Sequence, residues 1–207
     1  MNALRRKYAG MMGGLPYDSR VEYLESNGTQ YIDTDMLLNI DDKIVADITR
    51  RTLNNNDNFY FGQRIVNNSL GGTFVSYTGS QYFYVRFAST SSASALYRSN
   101  VNTRFTIELQ SGDFKINGTT VLSPVNNGTL NDTPITIFGR LLADGSNVSV
   151  SNVRFHQFTI YDSNDIARIN LLPVRIGQVG YMYDTVSGKL FGNSGTNDFI
   201  VGPDVIV

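Results

Sequence analysis

Residues 103–122 read TRFTIELQSGDFKINGTTVL, and the pattern in this stretch decides the fold. Phe105, Ile107 and Leu109 alternate with Arg104, Thr106, Glu108 and Gln110, the period of a strand with one buried and one wetter face. Ser111-Gly112-Asp113 turns the chain before Phe114 and Ile116. Asn117-Gly118 turns it again before Val121, since both residues tolerate the positive φ that a two-residue hairpin requires. A helix has no place in such a run.

The same period recurs along the chain. In KIVADIT, Ile44, Ala46 and Ile48 point one way, and Lys43, Val45, Asp47 and Thr49 point the other. Further strands are expected at 58–63, 73–77, 81–88, 135–140, 152–162 and 167–174, with short strands and glycine-rich turns beyond Gly180. Of 207 residues, 41% are hydrophobic and only 17% charged, and glutamate and lysine, the usual helix-surface residues, are scarce. The expected architecture is all-β: about a dozen short strands in a two-sheet antiparallel β-sandwich. Residues 1–18 differ in character, with Arg5, Arg6 and Lys7 followed by Met11, Met12 and a Gly-Gly-Leu-Pro stop. They read as a basic leader ahead of a sandwich domain over 19–207.

Charge and composition exclude several functions. Arg5, Arg6, Lys7 and Arg20 against Asp18 give the first twenty residues about +3, while the whole chain carries −1 and the remainder therefore −4. A slightly acidic domain is a poor nucleic-acid binder. No apolar run approaches the ~18–20 residues that span a bilayer, so neither nucleic acid nor membrane is expected as a partner. With no cysteine there are no disulfides, thiolate metal sites or cysteine nucleophiles. No phosphate-cradling glycine loop opens a helix.

Residues 23–35, YLESNGTQYIDTD, concentrate acidic groups and invite a catalytic reading. Sandwich glycosidases need two carboxylates roughly 5–9.5 Å apart. The chain has three glutamates, Glu22, Glu25 and Glu108. Glu22 and Glu25 are three apart, which on one strand puts them on opposite faces, and Glu108 has no acid two residues away. Asp33 and Asp35 share a face without a second acid–base partner. The stretch instead reads as an entry hairpin turning at Asn27-Gly28. His156, the lone histidine, falls on an Arg154–His156–Phe158–Ile160 face opposite Val153 and Phe155, as a hydrogen-bonded sheet residue. No catalytic residue and no metal ligand is assigned, and no cofactor is expected. Ca²⁺ is the one ion weighed, through the oxygen-rich loops at 39–43 and 54–58, although turns favour Asp and Asn on backbone grounds alone. The Asn-x-Ser/Thr triplets at Asn27, Asn117 and Asn127 read as turns too.

The candidate ligand or interface face is SQYFYVRF. With Phe83, Val85 and Phe87 inward, Tyr82, Tyr84 and Arg86 line the opposite face, where they can stack a sugar ring or anchor a protein.

Five segments together carry a family resemblance. VEYLESNGTQYIDTD, FTIELQSGDFKINGTTV, ITIFGR with SNVRFHQFTIYDSNDIARINLLPVR, and above all the tail GYMYDTVSGKLFGNSGTNDFIVGP occur in the expected order over residues 20–203. They resemble the concanavalin A-like (laminin G-like) jelly-roll domains of phage and prophage virion proteins from gut bacteria. The resemblance implies a non-enzymatic structural protein of the virion, such as a head fibre, decoration or tail-associated protein. Its leader, through Arg5, Arg6, Lys7, Met11 and Met12, would dock to capsid or other virion proteins. The sandwich would face outward as a homo-oligomer on the particle surface and bind host glycans weakly. Two alternatives stay open: a bacterial cell-surface or secreted carbohydrate-binding module, and a divergent glycoside hydrolase.

Overall fold

A computed structural model describes residues 14–52, 58–63, 72–124, 126, 130, 132–141 and 148–206. Among these the chain forms strands and turns and no helix. The strands begin with β1 (Ser19–Arg20), β2 (Leu24–Asn27), β3 (Ile32–Asp33), β4 (Lys43–Arg50), β5 (Asn58–Gln63) and β6 (Gly72–Tyr77). Then come β7 (Tyr82–Ser89), β8 (Ala93–Leu96), β9 (Arg104–Gln110), β10 (Asp113–Ile116), β11 (Thr119–Leu122) and β12 (Ile135–Ile137). The last are β13 (Gly139–Leu141), β14 (Val148–Val150), β15 (Asn152–Tyr161), β16 (Ala167–Ile176), β17 (Val179–Asp184), β18 (Leu190–Phe191) and β19 (Ile200–Val201).

Two antiparallel sheets face each other. The larger runs β11-β10-β9-β4-β15-β16-β17-β18, with β1, β2 and β19 attached at β16 and β15, and the smaller runs β3-β12-β5-β6-β7-β8. The alternation read from the sequence sets the core. Ile44, Ala46, Ile48, Ile107, Leu109 and Phe114 of the large sheet are fully buried against Phe61, Val75, Phe83, Val85 and Phe87 of the small one. Phe83 meets Phe114 at 5.3 Å between ring centroids, and Phe61 meets Phe158 at 5.5 Å. Arg50 continues the inward positions of β4, and its guanidinium lies 4.5 Å from the centroid of the Tyr77 ring, so the aromatic face offsets part of the lost hydration. The Asn117-Gly118 hairpin forms as expected, with φ of +50° and +76° between β10 and β11.

Four local expectations are corrected. Residues 23–35 are not a hairpin: β2 pairs with β15 and β19 in the large sheet, whereas β3 pairs with β12 in the small one. The Asn27-Gly28 segment is the crossover between the sheets. Gln30 holds it, accepting from Asn27 N at 2.9 Å and donating to Asp198 O at 3.1 Å. The tail closes over it, since Ser194 N donates to Tyr31 O and Thr196 N donates to Thr29 O. Gly195 must be bare here, because a Cβ would stand 2.2 Å from Thr29 O. Second, Ile135–Arg140 is two strands in two different sheets. Phe138, at φ +66°, breaks the run and sends β13 to pair with β14 over the outside of the small sheet. Third, His156 is a bulge: Phe155 opposes Ile48 and Gln157 opposes Asp47, so Phe158 and Ile160 return to the core face shared by Val153 and Phe155. Fourth, the chain bends at Glu22, outside any strand, and turns out of the strand direction at Asp35, φ +56°. Strict alternation therefore assigns a face to neither residue.

Candidate functional site

The outer face of the small sheet carries the residues singled out in β7. Tyr82 and Tyr84 are 38% and 39% exposed, whereas Phe83, Val85 and Phe87 between and beyond them are fully buried. Register supplies the neighbours. Tyr82 stands opposite Leu96, itself 47% exposed, and Tyr84 opposite Ser94 on one side and Ser76 on the other. Arg86 stands opposite Phe74.

Arg86 is held in place. Its Nε donates to Ser92 Oγ at 2.9 Å, and its guanidinium lies 5.4 Å from the Phe74 ring centroid. Burial lowers its pKa from the ordinary arginine value, and the group remains a cation at neutral pH. Phe74 packs edge-on against Phe59 at 5.2 Å, a small aromatic cluster separate from the main core. Arg140, delivered by β13, lies across both rings at 4.3 Å from Phe59 and 5.1 Å from Phe74. Gly62 makes room for it: a Cβ there would sit 2.7 Å from the Phe74 Cβ and 3.1 Å from the Arg140 side chain. The result is an apolar floor of Phe59 and Phe74, two outward tyrosines and a fixed guanidinium.

The sequence reading found Tyr82, Tyr84 and Arg86 and missed Phe59, Phe74, Leu96 and Arg140. Those four arrive through cross-strand register and the break at Phe138. The one local signal was Phe59 and Phe74 lying in apolar runs that continue on both faces of their strands. The leader residues Arg5, Arg6, Lys7, Met11 and Met12 lie outside the described residues.

The large sheet has its own outer cleft, about 520 Å³, lined by Arg20, Glu22, Asp47, Arg104, His156 and Asp204 among others. Several of its groups already have partners. Asp47 receives both Nε and Nη2 of Arg104, at 2.8 and 2.7 Å. Glu22 lines the same cleft as Asp47. His156 uses both ring nitrogens. Nδ1 lies 2.8 Å from Glu22 O and must donate, because a carbonyl only accepts, so Nε2 accepts from Thr49 Oγ1 at 2.9 Å. This is the hydrogen-bonded sheet histidine expected from the sequence.

Burial first, then the Arg104 charge, lowers the His156 pKa below its ordinary 6.5. The unfolded chain therefore takes up a proton that the folded chain resists. The stability this confers is fully present above about pH 6.5 and is lost as pH falls through the lower folded value. Chemical unfolding of wild type and His156→Gln between pH 7.5 and 5 is expected to show the wild type losing more stability on acidification. Parallel curves would mean that the neutral imidazole contributes nothing.

Of the oxygen-rich loops, 54–57 lies outside the described residues. At 39–43 the Asp42 carboxylate is 1% exposed and caps its own turn, accepting from Asn39 N at 2.7 Å and from Arg168 Nη1. Desolvation raises its pKa against these partners. Among the described residues no group of three histidine, aspartate or glutamate side chains is placed to hold a metal ion.

No family model matches the chain, and no curated protein matches its sequence. Solved structures do match its shape. One is a proposed carbohydrate-binding protein from Bacteroides ovatus, with TM-score 0.60 and 10% identity over 91% of this chain. The chain spans 62% of the length of that protein. Another is a heptameric SAP-like pentraxin from Limulus polyphemus, with TM-score 0.52 and 13% identity, covering 91% of this chain and 96% of the other. At such identity these matches show the fold, a lectin-like jelly-roll sandwich.

Proposed function

We propose that this chain is a non-enzymatic, lectin-like module that binds saccharide on the outer face of its six-stranded sheet. The observation that carries the reading is the pair of outward tyrosines beside a fixed arginine on strands otherwise free of charge. Tyrosine presents a flat apolar ring to the C–H face of a sugar and a hydroxyl to its rim, at low conformational cost. A binding reading also fits the other sheet, where Arg104 already holds Asp47 and both ring nitrogens of His156 are hydrogen-bonded. The match to a proposed carbohydrate-binding protein supports the same direction at the level of fold.

The virion role implied by the resemblance is the weaker reading. Neither structural relative is described as a virion component, and the leader on which docking depends lies outside the described residues. Display on a bacterial surface or secretion leaves the same sheet face open to glycans and is the setting preferred here.

The test is a glycan array followed by calorimetry on the best ligand. Tyr84→Ala is expected to weaken binding by about tenfold or more, equivalent to ~1.4 kcal/mol. Its melting temperature should hold, since the ring is exposed. A variant that binds like wild type removes this face from the function.

A further inference from the structure

We propose that the saccharide is anionic, its carboxylate or sulfate group seated on the terminal amines of Arg86. This rests on the saccharide-binding reading above and narrows it to a ligand class.

The argument starts from what Arg86 lacks. An arginine in a folded domain is charged, and a partly desolvated one ordinarily finds a carboxylate. Ser92 Oγ accepts from Nε and the guanidinium carbon lies 5.4 Å from the Phe74 ring centroid, but among the described residues Nη1 and Nη2 have no acceptor. Burial lowers its pKa, and among the described residues no carboxylate pairs with it. Arg86 is also the one charged side chain among the described residues of β5 to β8.

Its geometry suits an oxyanion. With Nε tied to Ser92 and the guanidinium beside the Phe74 ring, the two terminal N–H₂ groups are left as a fork, the arrangement that recognises carboxylate or sulfate through two parallel hydrogen bonds. Tyr84 lies two residues back on the same face, within reach of the ring that bears the anion. General attraction for polyanions is not the cause, because residues beyond the first twenty carry a net charge of −4. The selectivity must be local.

Two matched pairs of probes test this by calorimetry: oligogalacturonate against its methyl ester, and a sulfated galactan oligosaccharide against its desulfated form. In at least one pair the charged member is expected to bind tenfold or more tightly than its neutral twin. The pair that shows the preference identifies the anion. Arg86→Gln, checked for an unchanged melting temperature, should abolish the preference while keeping residual binding through the tyrosines. Arg86→Lys should restore little of it, since an ammonium lacks the fork. Equal binding of charged and neutral members by wild type overturns this inference and leaves the saccharide-binding reading standing. A preference that survives in Arg86→Gln overturns the assignment to Arg86. Absence of binding to any saccharide on the array overturns the underlying reading itself.

Discussion

Phe83→Ala is expected to lower stability by about 4 kcal/mol, within the ~3–5 kcal/mol typical of a buried phenylalanine. At roughly 2–4 °C per kcal/mol for a chain of this size, melting should fall by about 10 °C. The ring is fully buried and holds the two sheets together. From β7 it contacts Tyr77 at 4.8 Å and Tyr60 at 6.2 Å within its own sheet. Across the core it reaches Phe114 at 5.3 Å and Phe105 at 6.0 Å, and Tyr97 closes the cluster at 5.8 Å. Removing a ring from the middle of five others leaves a cavity that rigid neighbours on both sheets cannot close. Because Tyr82 and Tyr84 flank Phe83, saccharide binding by the folded fraction should weaken as well. Denaturant unfolding checks the first claim and calorimetry below the transition the second. A loss under about 1.5 kcal/mol would mean that the cluster collapses around the gap.

Much of this was legible because strands advertise themselves locally. Period two in β4, β7 and β9 fixed which side chains enter the core, and Asn117-Gly118 fixed a hairpin, both through chemistry contained within a few residues. The candidate face was legible on the same ground, as far as β7 alone supplies it. What stayed hidden depends on partners distant in sequence. Nothing local says that the chain changes sheets between Asn27 and Ile32, because the residues that hold the crossover, Ser194 to Asp198, lie more than 160 positions away. Phe138 takes a left-handed φ that phenylalanine seldom adopts, so a run that reads as one strand becomes two, and Arg140 lands on the aromatic floor. The bulge at His156 likewise shifts a face by one residue and moves Phe158 into the core, which a strict period cannot register.

Glu25→Gln is the sharpest test of what the acidic opening stretch does, and it is expected to cost about 2 kcal/mol, or roughly 5 °C in melting temperature. Glu25 is 8% exposed and joins two arginines, with Oε1 accepting from Arg51 Nε at 2.9 Å and Oε2 from Arg154 Nε at 2.6 Å. The arrangement spans several elements. Glu25 stands opposite Arg154 of β15 and Ile200 of β19, Arg51 follows β4, and Arg154 also stacks 4.0 Å over Tyr23. Glutamine keeps the shape but offers one acceptor oxygen, and it turns an amide N–H₂ toward the second guanidinium. Breaking a buried ion pair usually costs ~3–5 kcal/mol. Here the arginine side chains are about a quarter exposed, so water recovers part of the loss. Glu22→Gln, at an exposed carboxylate outside the strands, should shift stability by no more than about 0.5 kcal/mol. Saccharide affinity should be unchanged in both variants, because neither residue lies on the tyrosine face. The glycosidase alternative makes the opposite demand: an oligosaccharide hydrolysed by wild type and spared by a folded Glu25→Gln protein. Loss of stability without any change in ligand turnover or affinity would establish that the carboxylate serves the sandwich as a three-way electrostatic tie.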